Sequence, residues 1–130
     1  MAAVKALQAM LAGMTPVLTE GRWCFCSVPV REAADLLPHA IATFHEAEGL
    51  SLILPVAMAP DAAVMRQITL NVYSALDGVG LTAAVAAALA ANGISCNMVA
   101  AYHHDHVFVP EAQAQAALAI LLRLQIGAQD

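Results

Sequence analysis

The hydrophobic period of residues 67–126 switches repeatedly between two and about four, and that succession limits the fold more than any other feature of the chain. Gln67 to Tyr73 (QITLNVY) alternates apolar with polar positions and is rich in β-branched and aromatic residues, which predicts a strand. Asp77-Gly78-Val79-Gly80 reads as a turn. Leu81, Val85 and Leu89 then recur every four residues through alanines as far as Asn92-Gly93, a helix with an ordinary stop. Ile94 to Ala101 returns to strand composition, and His106 to Val109 (HVFV) makes another strand after a four-residue polar turn. Pro110 suits the first position of a helix, which Leu118, Leu121, Leu122 and Ile126 continue to the end. The order β-α-β-β-α points to an α+β fold, an antiparallel sheet with helices on one face. A ferredoxin-like β-α-β-β-α-β unit needs one strand more. An earlier segment is expected to supply it, which favours a shared sheet over two independent domains.

The first half is less regular. Val4, Leu7, Leu11 and Met14 predict a short opening helix that Pro16 ends. Arg22 to Val28 (RWCFCSV) has strand composition up to Pro29. Residues 30–48 are mixed, with a helical turn at Glu32 to Leu37 broken by Pro38. Leu50 to Leu54 (LSLIL) predicts a strand closed by Pro55, and Met58 to Asp61 a connecting loop.

Composition first suggests a membrane protein, since 61% of residues are hydrophobic and the mean hydropathy is +0.71. Yet 30 of the 130 residues are alanine and only 5% are aromatic. The longest apolar stretch, Ala83 to Ala91, is about half of the roughly 18–20 residues that span a bilayer, so no transmembrane helix is expected. The opening MAAVKALQAMLAGM has a single lysine and no clear cleavage site, so no signal peptide is expected either. Net charge is −5, and the basic residues stand singly at Lys5, Arg22, Arg31, Arg66 and Arg123. A nucleic-acid binder needs a clustered basic footprint to displace counterions, and this chain has none. Cys24 and Cys26 share one face of a strand and read as buried free thiols of a reducing, cytoplasmic compartment. C-x-C with a distant Cys96 is not a zinc spacing, so no metal and no cofactor is expected there.

Three motifs carry candidate chemistry. Gly78-Val79-Gly80-Leu81-Thr82-Ala83 matches G-x-G-x-x-A between a strand and a helix. A dinucleotide site would need the first glycine directly after the strand and an acid about 20 residues on, and both are missing. The same loop opens a helix whose first N–H groups can receive a carboxylate, with Asp77 beside them for an ammonium, a pairing that suits an α-amino acid. The glycines equally serve a tight turn and close helix–sheet packing. His103-His104-Asp105-His106 invites a metal reading, but on a strand His104 and His106 share a face while Asp105 points away. A polar turn in which Asp105 fixes a histidine is the simpler arrangement. His45-Glu46-Ala47-Glu48-Gly49 begins like H-E-x-x-H, but its second ligand position is glycine. No G-x-S-x-G, P-loop or Cys-His nucleophile signature is present.

Residues 67–126 resemble an ACT domain, a small ligand-sensing module. The resemblance is carried by the D-G-V-G-L turn at Asp77 to Leu81, the alanine-rich helix, and A-x-x-G-I-S-C-N ending at Asn97. More narrowly, the chain resembles small stand-alone bacterial proteins with two ACT-like halves. That match is carried by Ala42 to Leu50 (ATFHEAEGL), Gly80 to Val85, and Tyr102 with His104-Asp105-His106-Val107-Phe108-Val109-Pro110. The resemblance implies a ferredoxin-like fold of two ACT-like halves, 1–60 and 61–130, sharing a compact unit. It also implies a regulatory, non-catalytic protein that holds a small molecule, often an amino acid, at an interface between ACT units, as an edge-to-edge homodimer. The implied ligand-binding positions are Asp77, Gly78, Val79, Gly80 and Leu81, with Asn97 near the same interface; Glu46 and Glu48 of the other half are expected to line it as well. No nucleic-acid or membrane partner is implied. Two rival readings stand beside it, a small metal- or histidine-dependent enzyme using His104, Asp105 and His106, and a protein-interaction adaptor.

Overall fold

Pro16 opens a strand, and that strand supplies what the C-terminal pattern lacks. The computed structural model describes residues 2–59 and 61–129. Along the chain run α1 (Leu7–Ala12), β1 (Pro16–Leu18), β2 (Trp23–Val28), β3 (Ala42–Glu46), β4 (Gly49–Pro55), β5 (Met65–Leu70), α2 (Leu81–Ala90), β6 (Asn97–Ala100), β7 (Asp105–Pro110) and α3 (Ala114–Ala128). They form two compact units, Met1–Glu20 with Arg66–Asp130, and Gly21–Met65. The expected halves divide the chain at residue 60, whereas in packing the first twenty residues belong with the C-terminal unit.

In the larger unit the strand order is β1-β5-β7-β6. β1 runs antiparallel to β5, from Pro16 opposite Leu70 to Leu18 opposite Ile68, and so takes the place of the fourth strand, the last element of a ferredoxin-like unit. β6 and β7 pair antiparallel from Asn97 opposite Phe108 to Ala100 opposite Asp105. Ile68 and Leu70 of β5 and Val107 and Val109 of β7 turn the same face inward, as strand alternation requires. They join Val85 and Leu89 of α2, Ala117 and Leu121 of α3, and Met10 and Met14 from the opening segment in one core. Each large apolar side chain buried this way is worth about 1.5–3 kcal/mol. The fold is α+β and ferredoxin-like, as expected.

α2 ends in a Schellman closure. Gly93 takes φ +70, its N–H donates to Ala90 O, and the Ile94 N–H returns to Leu89 O. Ile94 is buried in that closure, which is why β6 starts at Asn97 and not at Ile94. α3 buries Ala114, Ala117, Ile120 and Leu121, while the expected stripe residues Leu122 and Ile126 are exposed. Alanine on the inward face lets the helix lie close to the sheet.

The smaller unit orders its strands β3-β4-β2. β2 pairs antiparallel with β4 from Trp23–Pro55 to Val28–Leu50, and β3 with β4 from Ala42–Ile53 to Glu46–Gly49. Leu50, Leu52 and Leu54 alternate inward against Cys24 and Ala33. The Cys24 and Cys26 sulfurs lie 3.6 Å apart as free thiols, and burial, then Cys26 beside it, pushes the Cys24 thiol up to about 11. β3 was not expected. The helix expected over Glu32–Leu37 is replaced by two 3-10 turns, Val30–Glu32 and Leu37–His39, because a single turn cannot repay helix nucleation without packing. A further 3-10 turn spans Val56–Met58, and Pro60 of the expected loop lies outside the described residues.

Candidate functional site

After Leu70 the chain leaves the β5 ladder and meets the opening segment instead. The Val4 N–H donates to Tyr73 O and the Ala75 N–H to Val4 O, which seats Ser74 beside Val4. The loop then runs through Asp77 and Gly80 into α2. Gly80 takes φ +107 at the helix N-cap and offers no side-chain cap. A Cβ on Gly78 would lie 3.1 Å from Ala75 O of its own turn, 3.2 Å from Met10 Sδ and 3.3 Å from Lys5 O of the opening segment, and one on Gly80 would lie 3.1 Å from Leu7. The glycines therefore serve close packing of the chain on itself.

Beside this loop opens a cavity of about 530 Å³, a size common among ligand sites. Gly78, Val79, Gly80 and Leu81 line it, with Met10, Thr82 and Ala100 around them. Its acid is Asp105 at the start of β7. Asp105 is 8% exposed and accepts a hydrogen bond from the Ser74 hydroxyl, 3.0 Å, at Oδ2. The sequence points to Asp105 fixing a histidine; in the structure its side-chain partner is instead Ser74. Strand period held the missed signal. Asp105 shares parity with the inward Val107 and Val109, so it belongs to the helix side of the sheet.

Asp77 stands between two lining residues, Leu76 and Gly78, but does not itself line the larger cavity. It lines a second cavity of about 260 Å³ with Tyr73 and Tyr102, and its Oδ2 is 2.9 Å from Lys5 Nζ. Both side chains are exposed, and the Lys5 hydrogen bond holds the Asp77 carboxyl below the usual carboxylate value. Asn97 lies at the start of β6, where its Nδ2 donates to Phe108 O at 3.5 Å, and it is not among the residues lining the larger cavity. Glu46 and Glu48 belong to the smaller unit. Glu46 ends β3 and accepts from the Ser51 hydroxyl, and Glu48 stands in the two-residue β3–β4 turn; both are exposed.

The histidine cluster is dispersed. His104 Nδ1 lies 3.4 Å from Val72 O, while Gln67 Nε2 and the Thr69 hydroxyl approach His106 Nδ1 at 2.9 and 3.0 Å. The Gln67 amide nitrogen can only donate, so with this amide orientation the His106 Nδ1 is the acceptor and the ring proton is assigned to Nε2. Burial, then the neighbouring His104, pulls its pKa below 6.5, and Asp105 opposes the shift. Among the described residues no three His, Cys, Asp or Glu side chains are grouped to hold a metal ion. Nor, among them, is any helix long and apolar enough to cross a membrane.

Two family models described as ACT domain match the chain, over residues 2–70 and 63–123. A Vibrio cholerae protein of unknown function, described as a possible transport protein, is 42% identical and superposes with a TM-score of 0.81 over 92% of this chain and 95% of its own. An Agrobacterium tumefaciens protein is 18% identical, with a TM-score of 0.69 over 85% and 87% of the two chains. The ligand-free regulatory subunit of aspartate kinase from Thermus thermophilus is 12% identical, with a TM-score of 0.64 over 86% and 97%. At these identities the last two share the fold alone. No curated protein matches the chain.

Proposed function

The chain belongs to the ACT domain family, whose members serve small-molecule-binding regulatory roles, and from that premise we propose that it is a non-catalytic sensor whose ligand is an amino acid. The observation that carries the proposal is the cavity of about 530 Å³ at the loop where α2 begins. Gly78 to Leu81 form its mouth, and the helix N-terminus beyond Gly80, which has no side-chain cap, receives the ligand carboxylate. Asp77 stands in the same loop, where the ion pair with Lys5 holds it to the opening segment. Asn97, Glu46 and Glu48 complete the interface in a cytoplasmic homodimer that pairs edge to edge, and the two overlapping domain matches support the reading of two halves, 1–60 and 61–130. His104, Asp105 and His106 go to three separate sets of partners, so the sensor reading assigns them no catalytic or metal role.

The test is a thermal-shift panel of amino acids and 2-oxo acids on the full chain. A ligand present at about 100 times its dissociation constant adds roughly 2.7 kcal/mol of stability and raises the Tm accordingly. No shift with any member at millimolar concentration removes the sensor reading.

A further inference from the structure

Charge in the larger cavity is one-sided, and from it we infer the ligand class: an aliphatic α-amino acid whose ammonium is held by Asp105. This rests on the cavity being the ligand site, and it narrows the reading from any amino acid to one with an aliphatic side chain and names the group that holds its ammonium. Asp105 is more than nine-tenths buried at the cavity wall, with the Ser74 hydroxyl on Oδ2. A carboxylate has about four acceptor sites, so one hydroxyl leaves most of its capacity for a ligand. None of the described residues lining the cavity is basic, and the nearby Lys5 is engaged by Asp77. A buried carboxylate against apolar walls is costly without a cation, and a ligand ammonium supplies one.

The rest of the wall sets the ligand's body. Ala75, Ala83, Ala86 and Ala100 are small and apolar, and Leu76 and Val79 extend the same surface. An aliphatic side chain loses little on entering such a wall, whereas a second charge would find no partner there. An anion without an amine, such as a 2-oxo acid, meets Asp105 as a like charge. The amine partner is thus Asp105 of β7, not the exposed, lysine-paired Asp77.

Calorimetric titration of the full chain compares L-leucine and L-valine with their own 2-oxo acids, which keep the carbon skeleton and carboxylate but lack the ammonium. Both amino acids bind at least about tenfold tighter than the oxo acids, and Asp105→Asn weakens amino-acid binding roughly 10- to 100-fold, the worth of a charge-assisted hydrogen bond. Asparagine keeps an acceptor for Ser74, and a melt by circular dichroism checks that the variant folds. Should it not fold, the ligand comparison on the natural protein decides alone. Oxo acids that bind as tightly as the amino acids, or an Asp105→Asn variant that folds and binds unchanged, overturn the assignment and leave the sensor reading standing. If leucine and valine fail while another panel member binds, the ligand class is wrong and the sensor reading stands. If nothing binds, both fall.

Discussion

Gly49 and Gly93 both take positive φ, +151 and +70, but their surroundings differ. A Cβ on Gly49 would stand 2.7 Å from the Val28 carbonyl oxygen, a backbone atom that cannot step aside, whereas one on Gly93 would meet nothing within 4 Å. Gly93→Ala therefore costs only the left-handed conformation, about 1–2 kcal/mol. Gly49→Ala adds a backbone clash, so it costs more than its neighbour in the comparison, about 3 kcal/mol or above. Urea unfolding of the two variants checks the order, and equal losses would refute it. His106 gives a pH prediction. Its folded pKa lies below the unfolded value of 6.5, chiefly through burial, so the unfolded chain binds the proton more readily. The stability tied to the neutral ring is present above that value and is lost as pH falls through the folded pKa. Between about pH 7.5 and about pH 5 the natural protein loses more unfolding free energy than His106→Gln, whose amide still meets Gln67 and Thr69. Parallel slopes for the two proteins would show that His106 is not the group responsible.

At the scale of elements, a period is visible only where one face is buried. Six of the ten residues of α2 are alanine, yet Leu81, Val85 and Leu89 mark its inward face, and all three are buried as that spacing predicts. Leu89→Ala removes a fully buried side chain and costs about 2–5 kcal/mol. Ile126→Ala on the exposed face of α3 stays within about 0.5 kcal/mol, and chemical denaturation of the pair distinguishes core from surface. β3 had no such mark. From Thr43 to Glu46 its side chains are all exposed, so alternation between buried and exposed positions is absent and the segment reads as irregular. β1 is three residues long, too short for any period, and exists because β5 offers it a ladder. Apolar character alone points to Leu122 and Ile126 as part of the α3 stripe, but the core accepts the smaller Ala114 and Ala117 in that place.

At the scale of the whole chain, the opening residues pack with the C-terminal unit, across the expected division at residue 60. Met10 and Met14 are 1% and 0% exposed, and both belong to the core built around α2, α3 and β5. Residues 61–130 alone lose both methionines, each worth about 2–5 kcal/mol, and uncover β5, against a total stability of about 5–15 kcal/mol for a domain. That fragment is expected to melt without a cooperative transition by circular dichroism. Cooperative melting within a few degrees of the full chain would mean that the opening segment is dispensable. The sequence by itself determined the succession of elements from Gln67 to Ile126, the turn at Asp77 to Gly80 and the inward face of α2, because period and turn chemistry are local properties of the backbone. Only the tertiary structure decided that β1 joins β5, that Lys5 takes Asp77 across 72 residues, and that the acid facing the cavity is Asp105. Those outcomes turn on which distant segment arrives beside which, and no local periodicity carries that information.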